Sequence, residues 1–116
     1  MYLTAQNDEL RRVVETEQLI TSSLTLLELS DVSLRKGRSA EEIRTLLSFV
    51  STVSEIVCVN EEISLLAARH KKSIRKKNPS FGIVDATHLA TSQAKDALLL
   101  TGDNDFRGIS GVKVLN

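Results

Sequence analysis

Four acids stand where chemistry could be done: Glu28, Asp85, Asp103 and Asp105. Asp85 opens a segment, Gly82 to Ala94, in which Ile83, Ala86, Leu89, Ala90 and Ala94 recur at helical spacing, with Asn78-Pro79-Ser80 as start chemistry before it. Asp103 and Asp105 follow the apolar run Ala97 to Thr101, which reads as a short strand covered on both faces and implies a parallel sheet. A helix descends about 15 Å from Asp85 to Lys95 at ~1.5 Å per residue. A strand climbs back about 16 Å from Leu98 to Asp103 at ~3.3 Å per residue. The two lengths match, so Asp103 returns to the level of Asp85 at the carboxyl end of the strand, where open α/β sheets place their sites.

Each acid also has an ordinary explanation. Thr25-Leu26-Leu27-Glu28 has the form of a capping box, in which Glu28 would reach back to the Thr25 N–H. Asp85 lies in a first helical turn, where the macrodipole favours a carboxylate, and Asp103-Asn104-Asp105 is common turn composition. The functional case rests on convergence, because Glu28 follows the strand Leu19 to Ser22 by a few residues and βα geometry sends it to the same edge. Carboxylates crowded there repel one another unless protons or cations neutralise them. Mg²⁺ or Mn²⁺ is the chemical match for oxygen donors. Zinc is a poorer one, with one Cys and two His and none at ligand spacing.

The elements that must position these acids come from the rest of the chain. Asn7 to Glu17 reads as a short helix, and the segment from Thr25 to about Lys36 as a helix ended by Gly37. Ser39-Ala40-Glu41-Glu42 is a second capping-box signature, followed by Ile43, Leu46, Leu47 and Val50 on one stripe. Glu55 to Val59 reads as a strand, and Asn60 caps a helix carrying Ile63, Leu66, Ala67, His70 and Ile74 on one face. Val112 to Leu115 is the last strand. This alternation predicts a doubly wound α/β domain with a parallel sheet and helices on both faces. At 116 residues the chain is expected to form one domain.

Composition bounds the function classes. Hydrophobic residues make up 41% and charged residues 26%, and no apolar run approaches the roughly 18 residues of a membrane span. The single cysteine excludes an internal disulfide, and its place in Ile56-Val57-Cys58-Val59 predicts a buried, inert thiol and a cytoplasmic setting. The formal net charge of zero hides a basic run, Lys71, Lys72, Arg75, Lys76 and Lys77. Its ordinary reading is a solvated helix C-terminus, and its functional one is contact with the phosphates of a polyanion drawn to an acidic site. With aromatics at 3%, base stacking is not an evident mode. His88, one turn beyond Asp85, is weighed as a packing imidazole before a proton shuttle.

Three blocks, in this order, resemble the PIN domain and within it the small prokaryotic VapC-type toxins of toxin–antitoxin pairs. They are Thr21-Ser22-Ser23-Leu24-Thr25-Leu26-Leu27-Glu28-Leu29, Asp85-Ala86-Thr87-His88-Leu89-Ala90-Thr91 and Leu100-Thr101-Gly102-Asp103-Asn104-Asp105-Phe106. The resemblance runs from about Tyr2 to Leu115. It implies that Glu28, Asp85 and Asp103 are metal-binding catalytic acids, Asp105 an auxiliary acid and Thr101 a hydroxyl orienting the cluster. The implied activity is Mg²⁺- or Mn²⁺-dependent endoribonuclease cleavage of RNA, with a small antitoxin as partner and a homodimer as assembly. One departure is that the family begins with a central strand ending in aspartate, whereas only Met1-Tyr2-Leu3 precedes the first helix here, and Asp8 lies at a helix start. The resemblance therefore implies an N-terminally truncated domain whose first strand and its acid belong before Tyr2. The rival reading is an inactive PIN remnant that serves as a protein-binding module. A receiver-like acidic signalling domain is a third, and it too would need acids on an early strand.

Overall fold

The computed structural model describes residues 17–115 together with Arg12 and Glu15. Within the length expected for one domain, the chain divides into two compact units, Met1–Val57 and Cys58–Asn116. The helix predicted over Asn7 to Glu17 falls for the most part outside the described residues, as do Met1-Tyr2-Leu3 and Asp8.

The first unit holds β1 (Ile20–Ser22), α1 (Ser23–Arg35), α2 (Ala40–Val53) and β2 (Glu55–Val57). β1 and β2 pair in parallel, with Ile20 opposite Glu55 and Ser22 opposite Val57. The Ser22 hydroxyl, at the strand end, accepts the Leu24 N–H at 3.2 Å and so caps α1. This corrects the predicted start: Thr25 lies inside the helix rather than at its cap, so Thr25 and Glu28 form no capping box. The local competition among Ser22, Ser23 and Thr25 is settled by where β1 ends. Gly37, in the left-handed region at φ +81°, closes the connection after α1 as expected. The second capping box forms in full, with Ser39 Oγ accepting the Glu42 N–H at 3.1 Å and Glu42 Oε1 accepting the Ser39 N–H at 3.0 Å. Ile43 is the buried residue of the predicted α2 stripe, and Leu46, Leu47 and Val50 are half-buried.

The second unit holds α3 (Glu61–Ile74), α4 (Ile83–Ala94), β3 (Leu99–Thr101), a 3-10 turn (Asn104–Phe106) and β4 (Val112–Val114). Asn60 Oδ1 accepts the Ile63 N–H at 2.9 Å, which fixes the start of α3 as predicted. Ile63 and Ala67 carry the α3 stripe into the core, against Ala86, Leu89 and Ala90 of α4. The predicted α4 stripe holds at its centre, while Ile83 and Ala94 at its ends are exposed. The helix ends with Asp96 in the left-handed region, at φ +50°, and the Ala97 N–H bonded to the Ser92 carbonyl at 2.8 Å. That is a Schellman closure, and it turns the chain directly into β3.

β3 pairs in parallel with β4, Leu99 opposite Val112 and Thr101 opposite Val114. The expected doubly wound sheet is therefore represented, among the described residues, by two separate parallel pairs, one in each unit. Every pairing is parallel, as alternation of helix and strand requires. Each strand is three residues long, shorter than predicted. The early end of β2 corrects the reading of Cys58, which leaves the sheet and is exposed. Among the described residues no helix is long and apolar enough to cross a membrane.

Candidate active site

In the second unit, two segments distant in sequence meet and bring three of the predicted acids together. The first is the connection 78–82 into α4, which delivers Asp85 in the first helical turn. The second is the turn after β3, which delivers Asp103 and Asp105. Phe81 is fully buried and Phe106 is 3% exposed, and their rings meet edge to face at 5.4 Å between centroids and 73° between planes. The pair lies one residue beyond Asp105 and four before Asp85, so it fixes both segments from beneath. Above it, Asn78 Nδ2 donates to the Asp105 carbonyl at 3.0 Å, and Ser80 Oγ lies 3.0 Å from Asp105 Oδ2.

Thr101 and Asp103 shape the turn itself. Thr101 Oγ1 accepts the Asp103 N–H at 3.1 Å, and Asp103 Oδ1 accepts the Asp105 N–H at 2.8 Å. The hydroxyl thus holds the backbone that carries the two acids. At the other segment, Asp85 Oδ2 faces the Gly82 N–H at 3.4 Å, a long contact. It is half of a capping box, since Gly82 has no side chain to return the bond.

Burial raises the Asp85 carboxyl above its ordinary 3.8, the Gly82 N–H opposes this, and the charges of Asp103 and Asp105 raise it further while His88 lowers it. The three acids therefore share one electrostatic neighbourhood, as the matched helix and strand lengths require. Asp85, Asp103 and Asp105 each spend one carboxylate oxygen on a local hydrogen bond. The donors are hard oxygens, suited to Mg²⁺ or Mn²⁺. Among the described residues, however, no three His, Cys, Asp or Glu side chains are gathered closely enough to hold a metal ion.

Glu28 occupies the sixth position of α1 in the first unit, half-buried. Its place in a helix interior removes the capping explanation. His88 is half-buried on α4. Of the basic run, Lys71 and Lys72 lie in the last turn of α3, Arg75 caps it, and Lys76 and Lys77 stand exposed in the turn beyond. Arg75 Nε donates to the Pro79 carbonyl at 3.2 Å, and the Asn78 N–H reaches the Ile74 carbonyl at 2.9 Å. The run thus leads without a break into the residue that touches Asp105.

The sequence matches the family model of the PIN domain over residues 4–112. The chain belongs to the PIN-domain family. PIN domains are generally nucleases that use divalent metal ions. Among solved structures, this PIN domain is similar to a chain of a toxin–antitoxin complex from Klebsiella pneumoniae, 24% identical, with a TM-score of 0.65 over 92% of this chain and 83% of that one. That likeness is one of fold. Comparison with curated proteins gives no match.

Sequence reasoning read Asn78 and Ser80 only as helix-start chemistry, yet α4 begins at Ile83 and both side chains instead bond to the acidic turn. The Asn-x-Ser spacing signals a local turn, but nothing in it names a partner 25 to 27 residues away.

Proposed function

We propose that this PIN domain is a metal-dependent endoribonuclease of the VapC toxin type. The observation that carries the reading is the neighbourhood of Asp85, whose connection is bonded to the Asp103–Asp105 turn and whose carboxyl is raised by burial first and by the charges of Asp103 and Asp105 after it. Anionic side chains held together at a cost to the fold are what a divalent cation would repay. Asp85 and Asp103 would be metal ligands and Asp105 an auxiliary acid, with Glu28 assigned to the set by its motif. Bound Mg²⁺ or Mn²⁺ would supply an activated water and neutralise phosphate charge during in-line attack. The protein's part is to hold acids and RNA in register.

The basic run supports RNA as the substrate, because it ends where Asn78 bonds the acidic turn and so sets cations beside a site that would otherwise repel a polyanion. A small antitoxin partner, a homodimeric assembly and a cytoplasmic location belong to the same proposal, the partner supported by the fold's likeness to a toxin–antitoxin chain. A second reading is an inactive PIN remnant that binds a protein partner. Incubation of single-stranded RNA with the protein and Mn²⁺ separates them. Cleavage lost on chelation and in Asp103→Asn supports the nuclease, and intact RNA at all Mn²⁺ concentrations overturns it.

A further inference from the structure

The bond between Ser80 and Asp105 belongs to a small network that neither the motifs nor the proposed reaction accounts for. Ser80 Oγ stands 2.7 Å from Asn78 Oδ1 and 3.0 Å from Asp105 Oδ2. A hydroxyl has one proton to give, so the two acceptors share it in a three-centre arrangement. The carboxylate is the charged acceptor, and charge-assisted hydrogen bonds are about twice as strong as neutral ones. The Ser80 proton is therefore shared between the nearer Asn78 Oδ1 and the charged Asp105 Oδ2, and ties the two side chains together. Asn78 Oδ1 also accepts the Ser80 N–H at 3.3 Å, and Asn78 Nδ2 spends one of its two N–H donors on the Asp105 carbonyl at 3.0 Å.

Asp105 is thus held at two points, its backbone by Asn78 and its carboxylate by Ser80. Both restraints come from the connection that starts α4 and carries Asp85 three residues after Gly82. The same connection is tied back to α3 through the Asn78 N–H and the Ile74 carbonyl, 2.9 Å apart. The hydrogen bond from Ser80 restrains the Asp105 carboxylate at one of its two oxygens. We infer that Asn78 and Ser80 are positioning residues that set the orientation of the Asp105 carboxylate relative to Asp85. Ser80 acts on the carboxylate, and Asn78 holds both the turn and Ser80. The inference rests on the metal-dependent reading above for its functional consequence. Its geometric content stands without metal.

The test uses the whole chain, with Ser80→Ala, Ser80→Thr and Asn78→Ala. In metal-free protein, NMR three-bond couplings should report one χ1 rotamer for Asp105 in wild type, rotamer averaging in Ser80→Ala and Asn78→Ala, and a restored single rotamer in Ser80→Thr. Mn²⁺ titration by calorimetry should show roughly 10-fold weaker binding in Ser80→Ala, as partners that orient ligands give, and recovery in Ser80→Thr. The unfolding midpoint without metal should barely move in Ser80→Ala, which separates positioning from structural damage. A single Asp105 rotamer retained in Ser80→Ala, or Mn²⁺ affinity unchanged there while Asp105→Asn weakens it, overturns the inference. Absence of Mn²⁺ binding in wild type would overturn the proposed function instead, and the rotamer measurement would still decide the positioning claim.

Discussion

Replacing Phe106 with alanine should nearly unfold the second unit. The ring is 3% exposed and meets the fully buried Phe81 ring edge to face at 5.4 Å. Phe→Ala in a closed core costs about 3–5 kcal/mol through lost transfer energy and the cavity left behind. That is a large share of a typical stability of about 5–15 kcal/mol. A gentler pair, Phe81→Leu and Phe106→Leu, keeps most of the apolar volume and isolates what the rings do to each other. Edge-to-face pairs contribute about 0.5–1.5 kcal/mol beyond area burial. Urea unfolding of wild type, both single mutants and the double mutant should give a coupling energy in that range. The site should feel it too, since this pair joins the segments carrying Asp85 and Asp105, and each Leu variant should weaken Mn²⁺ binding. Additivity within roughly 0.3–0.5 kcal/mol, the scatter of independent sites, would refute the claim that the rings bind the two segments together.

Asp85→Asn should stabilise the protein at neutral pH. The wild-type carboxyl holds its proton more tightly folded than unfolded. Its favourable contribution is complete below the ordinary value of 3.8 and is lost as pH rises through the raised folded value. Thermal melts should therefore favour Asp85→Asn at pH 7 and converge with wild type in acid, and a variant less stable at pH 7 would contradict this. Ser39→Ala removes a complete capping box and should cost about 1 kcal/mol in urea unfolding. A cost near zero would mean α2 is held by packing alone. Neutralising Lys76 and Lys77 should flatten the log–log salt dependence of single-stranded RNA binding by roughly 0.7 per lost phosphate contact. An unchanged slope would make the run a solvated helix end.

Much of this arrangement was legible in the sequence where the signal is local. The Ser39-to-Glu42 box and Asn60 announce helix starts through side chains that bond three residues away, and both starts are where they were expected. The matched lengths of α4 and the strand after it anticipated that the Asp103 turn meets the connection carrying Asp85. Local signals failed where they were redundant or too short. Ser22, Ser23 and Thr25 can each begin a helix, and only the end of β1 chooses Ser22. Cys58 sits in an apolar run, but β2 ends at Val57 and the thiol is exposed. The bonds from Asn78 and Ser80 to Asp105 were beyond reach for a different reason. They depend on tertiary closure, and no periodicity encodes them.

The central claim is that Asp85 and Asp103 belong to a divalent-cation site, and Mn²⁺-dependent thermal unfolding tests it most directly. A ligand that binds only the folded state stabilises it by about 2.7 kcal/mol at 100 times its Kd. Wild type should melt progressively higher as Mn²⁺ is raised, and the Asp85→Asn/Asp103→Asn double mutant should show no such rise. The same Mn²⁺ response in both proteins would contradict the account.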